Sequence, residues 1–401
     1  MIPAPADWLA ELAARLRGLL AAELPAAIEL RRELHRHPEV SGAEARTAEV
    51  VASAMDAPDA PAVAGTGRLI RIGPSRGPAV GVRAELDALP VPEKTGVAWA
   101  SVNGAMHACG HDVHLAALTA LTRAARLAEL PVALLAMLQP REEAGPSGAL
   151  EIATSPGFAG HDPAAVIGVH LQHQLRGGTV AAAEGTINAA TDDFEITVTG
   201  RGGHAGYPQL AADPVPALCQ CVLTLQQLIS RRIDPTHAAV LSVGMLHAGH
   251  APNVIPATAT AQGTMRTLDD RDRDFLRIAV SEVVADTCRA HGCAGSVTVV
   301  PHEPALVNHP KLTAACQPLL RQAGFAVDTQ FRSCGADDFS YYGRQVPSVM
   351  LFAGSGTTQT LHDAHFLPAE DTIGQVARAM LAGYLATLQC GLVPVPADTA
   401  R

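Results

Sequence analysis

The sequence lacks any uninterrupted apolar run long enough for a membrane-spanning helix, which needs about 20 apolar residues. Its opening segment, residues 1–23, carries Asp7, Glu11, Arg15 and Arg17 among alanines and leucines. A secretory signal would instead place basic residues before an unbroken apolar segment. We therefore expect a soluble protein that has no membrane partner.

Cysteine and basic charge are also scarce. The eight cysteines are scattered, without the short repeating framework of a disulfide-rich secreted domain, so the sequence predicts a cytoplasmic protein. A net charge of −10 gives no reason to expect nucleic acid as a partner. With 48% hydrophobic residues the chain can bury a substantial core, and its 401 residues favour two domains.

Helical and strand patterns alternate in the first third of the chain, which is typical of an α/β layer structure. The same pattern resumes after about Pro304, with a strand near 348–352 and helices near 311–321 and 372–388. The earlier elements are predicted helices over 26–37, 43–55 and 112–130, and predicted strands near 69–72, 79–86, 132–138 and 166–169.

The pattern of apolar and polar residues changes after Gly185, where Phe194, Ile196 and Val198 alternate with polar residues as in a strand exposed on one face. A βαββα order follows, which is typical of a compact α+β domain. The sequence thus predicts a discontinuous α/β domain, residues 1–186 and 303–401, with a smaller α+β domain inserted over residues 187–302.

The densest group of candidate ligands lies just before the helix predicted from residue 112. His107, Cys109 and His111 are spaced by two, so their side chains project to one side of an extended segment, and His114 follows. Imidazole and thiolate bind zinc, and also cobalt, nickel or manganese when carboxylates share the site. A histidine-rich surface loop is the alternative, but this density beside a helix start favours a metal site.

Other candidate ligands follow predicted strands. Glu142 and Glu143 stand after one buried strand, His170 closes another, and His362 comes shortly after a third. Open α/β sheets bind ligands beyond the carboxyl ends of their strands. Each residue alone has an ordinary structural explanation, a solvated carboxylate or a hydrogen-bonded histidine, but together they indicate one site at a sheet edge.

Nine ordered motifs run through nearly the whole chain. They are LHRHPE (34–39), RAELDALP (83–90), MHACGHDVH (106–114), QPREE (139–143), GGHAG (202–206), NVIP (253–256), GTMR (263–266), DDFS (337–340) and LHDAHF (361–366). In this order they resemble the M20 metallopeptidase superfamily, most closely its amidohydrolase branch, which includes hippurate hydrolases and auxin-conjugate hydrolases. The resemblance implies a metallopeptidase domain with helices around a central mixed sheet, plus an inserted lid and dimerisation domain.

The resemblance also implies a two-metal centre holding Mn, Zn, Co or Ni. Its ligands would be Cys109, His111, Glu143, His170 and His362. A carboxylate that accepts a hydrogen bond from a ligand histidine fixes the orientation of the imidazole and determines which ring nitrogen carries the proton.

The remaining roles implied by the resemblance concern catalysis and the substrate. Glu142 would be the general base, and Asp87 would orient a ligand imidazole. His204 would hold the scissile carbonyl, usually in the active site of the partner subunit, which implies a homodimer or a tetramer. Asn253 and Arg266 would grip the carboxylate of the substrate.

Departures from the family pattern leave all of these residues in place. Glu85 stands where Asp is commoner, Asp337 where Glu is usual, and the segment 55–68 is short. Arg141 replaces a small residue beside the predicted base, so it is a candidate for altering substrate preference or the pKa of Glu142.

The function implied by the resemblance is aminoacylase-like hydrolysis of N-acyl-amino acids by a metal-activated water. A dipeptidase or carboxypeptidase of the same superfamily is the alternative, although the cysteine-containing motif favours the amidohydrolase branch. A different class would make Cys109 a nucleophile with His107 or His111 as base, which leaves the paired glutamates without a purpose. A protein that only binds carboxylated ligands is a further alternative; such relatives usually lose a ligand or the base.

Overall fold

The computed structural model describes residues 7–394, which divide into two compact units. The first unit contains the described residues up to Gly185, then Val307–Phe331 and the described residues from Asp338 onward. The second contains Thr186–Leu306 and Arg332–Asp337. The catalytic role assigned to the first part of the chain and the lid and dimerisation role assigned to the insert stay predictions.

Within residues 7–394 the chain forms α-helices and β-strands in alternation, and none of these helices has the length and apolar character of a membrane span. The helices are α1 Asp7–Arg36, α2 Ala45–Ala54, α3 His111–Arg126, α4 Gly148–Ala153, α5 Pro156–Gly160, α6 Pro214–Arg232, α7 Asp270–Ala290, α8 Pro310–Gln322, α9 Ser340–Gly343 and α10 Asp371–Gln389. The strands are β1 Ala62–Val63, β2 Gly67–Ile72, β3 Ala79–Glu85, β4 Ala133–Gln139, β5 Pro163–Gln172, β6 Thr179–Ala181, β7 Gly185–Asn188, β8 Ala190–Thr199, β9 Gly203–His204, β10 Ala239–Ala248, β11 Val254–Ile255, β12 Thr258–Thr267, β13 Ala294–Pro301, β14 Leu306–Asn308, β15 Ala326–Asp328 and β16 Ser348–Gly354.

The first unit is built on an eight-stranded mixed sheet in the order β1-β2-β4-β3-β5-β16-β6-β15. Its central strands β4, β3, β5 and β16 run parallel to one another. All residues of β3, β4 and β16 are buried, which explains why these strands read as short continuous apolar runs rather than alternating patterns. The predicted α/β fold is confirmed, and the parallel arrangement brings the carboxyl ends of the central strands to one edge.

Helix α1 is much longer than predicted, because it begins at Asp7 rather than near residue 26. Leu12, Leu16 and Leu20 are buried on one face at helical spacing, where α1 packs with α3 and α10. Pro25 lies inside the helix. A proline removes one backbone hydrogen bond and usually ends a helix, but here packing along the apolar stripe stabilises the turns on both sides.

The second unit contains an antiparallel sheet in the order β10-β12-β8-β13, with α6 and α7 packed on it. Phe194, Ile196 and Val198 of β8 enter its core, as their alternation predicts. The predicted βαββα order was wrong in omitting β13, which pairs antiparallel with β8. That strand lies at the sheet edge with five of its eight residues exposed and only Val297 and Val299 packing on the core, so its local apolar signal is weak.

Candidate metal centre

Three parallel strands of the first unit bring candidate ligands to the same sheet edge. Asp87 follows the end of β3, Glu142 and Glu143 follow the end of β4, and His170 lies near the carboxyl end of β5. These strands are neighbours in the order β4-β3-β5. The site therefore occupies the position at which open α/β sheets bind their ligands.

The loop before α3 supplies two more candidate ligands, and a glycine sets its geometry. Gly110 lies between Cys109 and His111 with φ of +85°, a left-handed conformation that side chains disfavour. A Cβ atom at this position would also lie 2.7 Å from Cδ1 of Leu171. Glycine thus allows the loop to turn sharply into α3, which begins at His111.

All five predicted metal ligands come together in the first unit. The Sγ atom of Cys109 lies 3.5 Å from Nε2 of His170, and Nε2 of His111 lies 3.9 Å from Oε1 of Glu143. The other oxygen of Glu143 is 3.5 Å from Nε2 of His362. Ligand atoms of Cys109, His111 and Glu143 lie within 4.8 Å of one another, close enough to share a cation.

The hydrogen bonds of the two buried histidines fit metal binding. His111 and His170 each direct Nδ1 at a backbone carbonyl, that of Asp87 at 2.8 Å and that of Leu171 at 2.7 Å, so Nδ1 carries the proton. Their Nε2 atoms are left as electron-pair donors. Nε2 of His111 and Oε1 of Glu143 are buried without a hydrogen-bond partner among the described residues, which is costly unless a cation satisfies them. The mixed N, O and S donor set suits a divalent transition metal.

Asp87 connects two of these ligands. Its Oδ2 atom accepts hydrogen bonds from the Ser41 hydroxyl at 2.7 Å and from the backbone N–H of Glu143 at 2.9 Å, while its carbonyl accepts from His111. Burial raises the pKa of Asp87, but the hydrogen bond and charge of His111 outweigh that effect and lower it. These contacts support the predicted orienting role, which stays a prediction.

The electrostatics of the cluster disfavour a nucleophilic Cys109. Burial raises the pKa of the Cys109 thiol well above its ordinary value, and the carboxylates of Glu143 and Glu142 raise it further. Burial lowers the pKa of His111, but Glu85, Asp87 and Glu143 outweigh it and raise the pKa to about 10, so a cation that binds Nε2 takes the place of a second proton there. A thiolate nucleophile needs a lowered pKa, whereas this negative environment favours a bound cation, which would itself stabilise the thiolate.

His362 reaches the cluster from a different segment. Its side chain is half-exposed and its φ is +68°. The backbone N–H of His362 donates to the carbonyl of Ala108 at 2.9 Å, which ties this segment to the Cys109 loop. A histidine that looked isolated in the sequence is therefore held beside the other ligands by main-chain contact.

The predicted substrate-binding residues all lie in the second unit. His204 is in β9, which pairs with β11 directly after Asn253, and the backbone N–H of Ala205 donates to the Asn253 carbonyl at 3.1 Å. Arg266 is on β12 and donates from Nη1 to the carbonyl of Cys334 at 3.2 Å. The structure thus joins the His204 and Asn253 segments, and the catalytic and binding roles of all three residues stay predictions.

Arg141 is engaged away from its neighbouring glutamates. Its Nη2 lies 2.7 Å from Oε2 of Glu151 on α4, and its backbone N–H donates to the buried Glu44 carboxylate at 3.0 Å. Glu142 instead lies beside His111, with 3.8 Å between Oε2 and Nε2. The guanidinium of Arg141 therefore has a carboxylate partner of its own on α4.

Sequence reasoning missed two buried polar groups around the cluster. On one side, His35 contacts Asp112 at 3.0 Å and Glu93 at 3.1 Å, and Arg31 also pairs with Asp112. On the other side, Nδ1 of His114 lies 2.9 Å from Oε2 of Glu85. Arg31 and His35 stand four residues apart on a helix face, a signal that could have revealed the first group.

The candidate ligand His107 does not join the cluster of ligand atoms. It is fully buried with no hydrogen-bond partner for either ring nitrogen among residues 7–394, and burial lowers its pKa to about 4.

Comparisons with known proteins agree with this geometry. The profile of peptidase family M20/M25/M40 matches residues 81–385. The chain is 32% identical over 372 residues to an N-acetylcysteine deacetylase of Bacillus subtilis (strain 168), covering 90% of this chain and 95% of that protein. It is 31% identical over 374 residues to an N-acetyldiaminopimelate deacetylase of Halalkalibacterium halodurans, covering 91% of this chain and 100% of that protein. A Bacillus subtilis crystal structure, described as a dinuclear metal-binding peptidase of the M20 family, superposes with a TM-score of 0.79 at 28% identity over 92% of this chain and 99% of that one.

Proposed function

The chain belongs to peptidase family M20/M25/M40 and is an amidohydrolase of that family, and we propose that its substrates are N-acyl-amino acids. The observation that carries the proposal is the convergence of Cys109, His111, Glu143, His170 and His362 beside Glu142. The two deacetylases of N-acetylated amino acids that the chain resembles along almost their whole length support this substrate class.

We propose that the five clustered side chains hold two divalent cations, with Mn, Zn, Co and Ni as candidates. Bound cations of this kind acidify a water molecule and stabilise developing negative charge. The similar Bacillus structure described as dinuclear supports the number of ions.

Glu142 is the general base in this proposal. Its carboxylate, near the start of the loop after β4, takes a proton from the attacking water and returns it to the departing amine. It lies close to His111, and the backbone N–H groups of Glu143 and Arg141 donate hydrogen bonds that hold the same loop.

The second unit supplies substrate recognition in this proposal. His204 holds the scissile carbonyl and stabilises its oxyanion. Arg266 and Asn253 bind the carboxylate of the amino acid, because a guanidinium pairs with a carboxylate through two parallel hydrogen bonds. Arg266 is half-buried on β12 and donates from Nη1 to one carbonyl, which leaves other N–H groups of its guanidinium for such a contact.

We further propose that the protein works as a homodimer in the cytoplasm. The dimer rests on the family resemblance at His204, and all eight cysteines are free thiols, in keeping with a reducing compartment. Light scattering after size exclusion tests the assembly, and a monomer under assay conditions would remove the partner role of His204.

Metal-dependent amine release tests the function. Metal-stripped protein is incubated with N-acetyl-amino acids, hippurate and dipeptides, alone or with Mn²⁺, Zn²⁺, Co²⁺ or Ni²⁺, and released amine is measured. We expect release from N-acyl-amino acids only after a metal is restored. Release from dipeptides alone would favour the peptidase alternative. Unchanged release without metal would contradict the proposal, as would no release from folded protein shown to be metal-loaded.

A further inference from the structure

His114 differs from the other two buried histidines of the cluster because both of its ring nitrogens are engaged by protein groups. Its Nδ1 lies 2.9 Å from Oε2 of Glu85, and its Nε2 lies 3.1 Å from the backbone nitrogen of Leu171. His111 and His170 each use Nδ1 on a carbonyl and present Nε2 to the cluster. The three rings lie side by side, with centroids 4.8 Å apart for His114 and His170 and 5.7 Å apart for His114 and His111.

The partners of His114 fix its proton. A backbone N–H can only donate, so the Leu171 contact makes Nε2 of His114 an acceptor and leaves the proton on Nδ1. That proton is donated to Glu85, a fully buried carboxylate. Arg83 pairs with the other oxygen of Glu85 through a short contact, and its Nη2 is 3.0 Å from Oδ1 of Asp338. These contacts on both ring nitrogens fix the orientation of the His114 imidazole.

Leu171 is the point at which this chain of contacts reaches a predicted ligand. Its N–H donates to His114, and its carbonyl accepts from Nδ1 of His170. The contacts thus run from Glu85 through His114 to the backbone N–H of Leu171, and from the carbonyl of the same residue to His170. Because the Leu171 carbonyl holds Nδ1 of His170, a shift of the Leu171 backbone would redirect Nε2 of His170.

We propose that His114 is a positioning residue that orients His170 through the backbone of Leu171 and does not bind metal itself. The inference rests on the proposed metal centre, since His170 must be a ligand for its orientation to matter. It assigns a role to a histidine of the 106–114 motif, and to Glu85, that sequence resemblance left unassigned. Ligand orientation by groups one step removed commonly contributes 10- to 100-fold in metal affinity.

A direct ligand role for His114 is the rival explanation. Ligand atoms of Glu85, His111, His114 and His170 lie within 4.8 Å of one another, so proximity alone would allow this set to hold a cation. In a positioning role, Nε2 of His114 accepts from Leu171, and substitution of His114 leaves the set of metal ligands unchanged. In a ligand role, substitution of His114 removes one of the metal ligands. A positioning role needs only an acceptor for the Leu171 N–H, whereas a ligand role needs an imidazole.

Two amide substitutions separate these explanations. The side-chain amide of His114→Gln extends far enough to supply an acceptor near the position of Nε2, whereas that of His114→Asn reaches only the position of Nδ1 and preserves the donor to Glu85. Co²⁺ and Zn²⁺ affinities are measured by chelator competition on wild type, both variants and the control His161→Asn, which changes a histidine at the end of α5 outside the cluster. Circular dichroism establishes folding of each protein.

We expect His114→Asn to weaken metal binding by about 10- to 100-fold and His114→Gln to weaken it by only about 3-fold. At saturating Co²⁺, both variants should show the wild-type visible spectrum, because the ligand set is unchanged. Equal losses in both variants with an altered Co²⁺ spectrum would make His114 a ligand and overturn the proposal. Unchanged affinity in both variants would also overturn it. Absence of metal binding by wild type would instead remove the metal centre on which the proposed function depends.

Histidine ¹⁵N spectra of the wild type provide a test that needs no substitution. Addition of Zn²⁺ should shift the Nε2 resonances of His111 and His170, while His114 retains a protonated Nδ1 and an Nε2 resonance shifted much less. A metal-induced shift of the His114 Nε2 resonance as large as those of the other two would contradict the positioning role, even if the variants failed to fold.

Discussion

The predicted functional residues of the two units are held in different ways. In the first unit, the candidate ligands Cys109, His111 and His170 are buried, and their hydrogen bonds come from the same unit. In the second unit, His204 is exposed in a short two-stranded sheet, and Arg266 lies on a strand with its guanidinium bonded to a single carbonyl. The first set is oriented by packing before anything binds, whereas the second set keeps its polar groups available.

This difference teaches what each region is suited to do. Burying a nitrogen or oxygen atom whose electron pair has no partner lowers the stability of the fold. A buried cluster of such atoms with fixed orientation therefore suits a tightly bound cation. Exposed polar groups on loops and strand ends cost little when unbound and suit a substrate that must enter and leave. Changes in the first region should therefore alter metal binding, turnover or stability, and changes in the second should alter the handling of substrate; the following predictions test this division.

Loss of the base should have the largest effect. We expect Glu142→Gln to lower kcat by about 10²- to 10⁴-fold, because proton transfer to and from the attacking water is lost. Metal content should stay at the wild-type level, since Glu142 is not among the proposed ligands. Steady-state kinetics and metal analysis check both points. Glu151→Gln is the matched control, because Glu151 lies on α4 and pairs with Arg141, so its substitution should leave kcat unchanged. Equal kcat in the two variants would remove Glu142 from the role of base.

Loss of the proposed contact between His204 and the scissile carbonyl should have the second-largest effect. We expect His204→Ala to lower kcat by about 10²- to 10³-fold, the usual cost of removing one oxyanion donor. Mixing subunits of Glu142→Gln and His204→Ala should restore about a quarter of wild-type turnover, because half of randomly formed dimers would carry one complete site. No recovery from a mixture shown to form mixed dimers would mean that His204 acts within its own chain.

The buried His35 of α1 should make the free energy of unfolding depend on pH. Burial lowers the pKa of His35, but Asp112 and Glu93 outweigh it and raise the pKa to about 9. The charged form then stabilises the fold fully below the unfolded value of about 6.5, and this contribution is lost as pH rises through about 9. The difference in unfolding free energy between wild type and His35→Gln should be on the order of 3 kcal/mol at pH 6 and narrow by pH 10.

Urea unfolding with excess chelator measures that difference without the contribution of bound metal. A difference that stays constant from pH 6 to pH 10 would show that His35 is uncharged in the folded protein.

Loss of the carboxylate contact in the second unit should be the smallest effect. We expect Arg266→Ala to raise KM for an N-acyl-amino acid by about 10- to 100-fold with little change in kcat, since a charge-assisted hydrogen bond is lost in the ground state and transition state alike. Arg266→Lys should recover part of the loss. The corresponding N-acyl-amino acid amide, which lacks the carboxylate, serves as control; an equal KM increase for that compound would place the role of Arg266 elsewhere.

Much of the fold and of the cluster was predictable from local patterns. Buried parallel strands such as β4 read as continuous apolar runs, and Glu142 and Glu143 directly after it indicated a site at a strand end. The part that was missed depends on distant contacts. The first half of α1 needed packing across Pro25, and β13 needed its pairing with β8, neither of which local periodicity reports.

The sequence by itself determined which chemical groups are present and the family to which they belong, because metal ligands, a base and their spacing are properties of residue type and order. The tertiary structure alone decided which histidines have a nitrogen left for a metal. His107, His111 and His114 stand within one short motif, yet one is buried without hydrogen-bond partners among the described residues, one presents Nε2 to the cluster, and one has both nitrogens bonded. The physical reason is that the lone pair of an imidazole is assigned by the donors and acceptors that folding brings against the ring, and these come from strands far away in the chain.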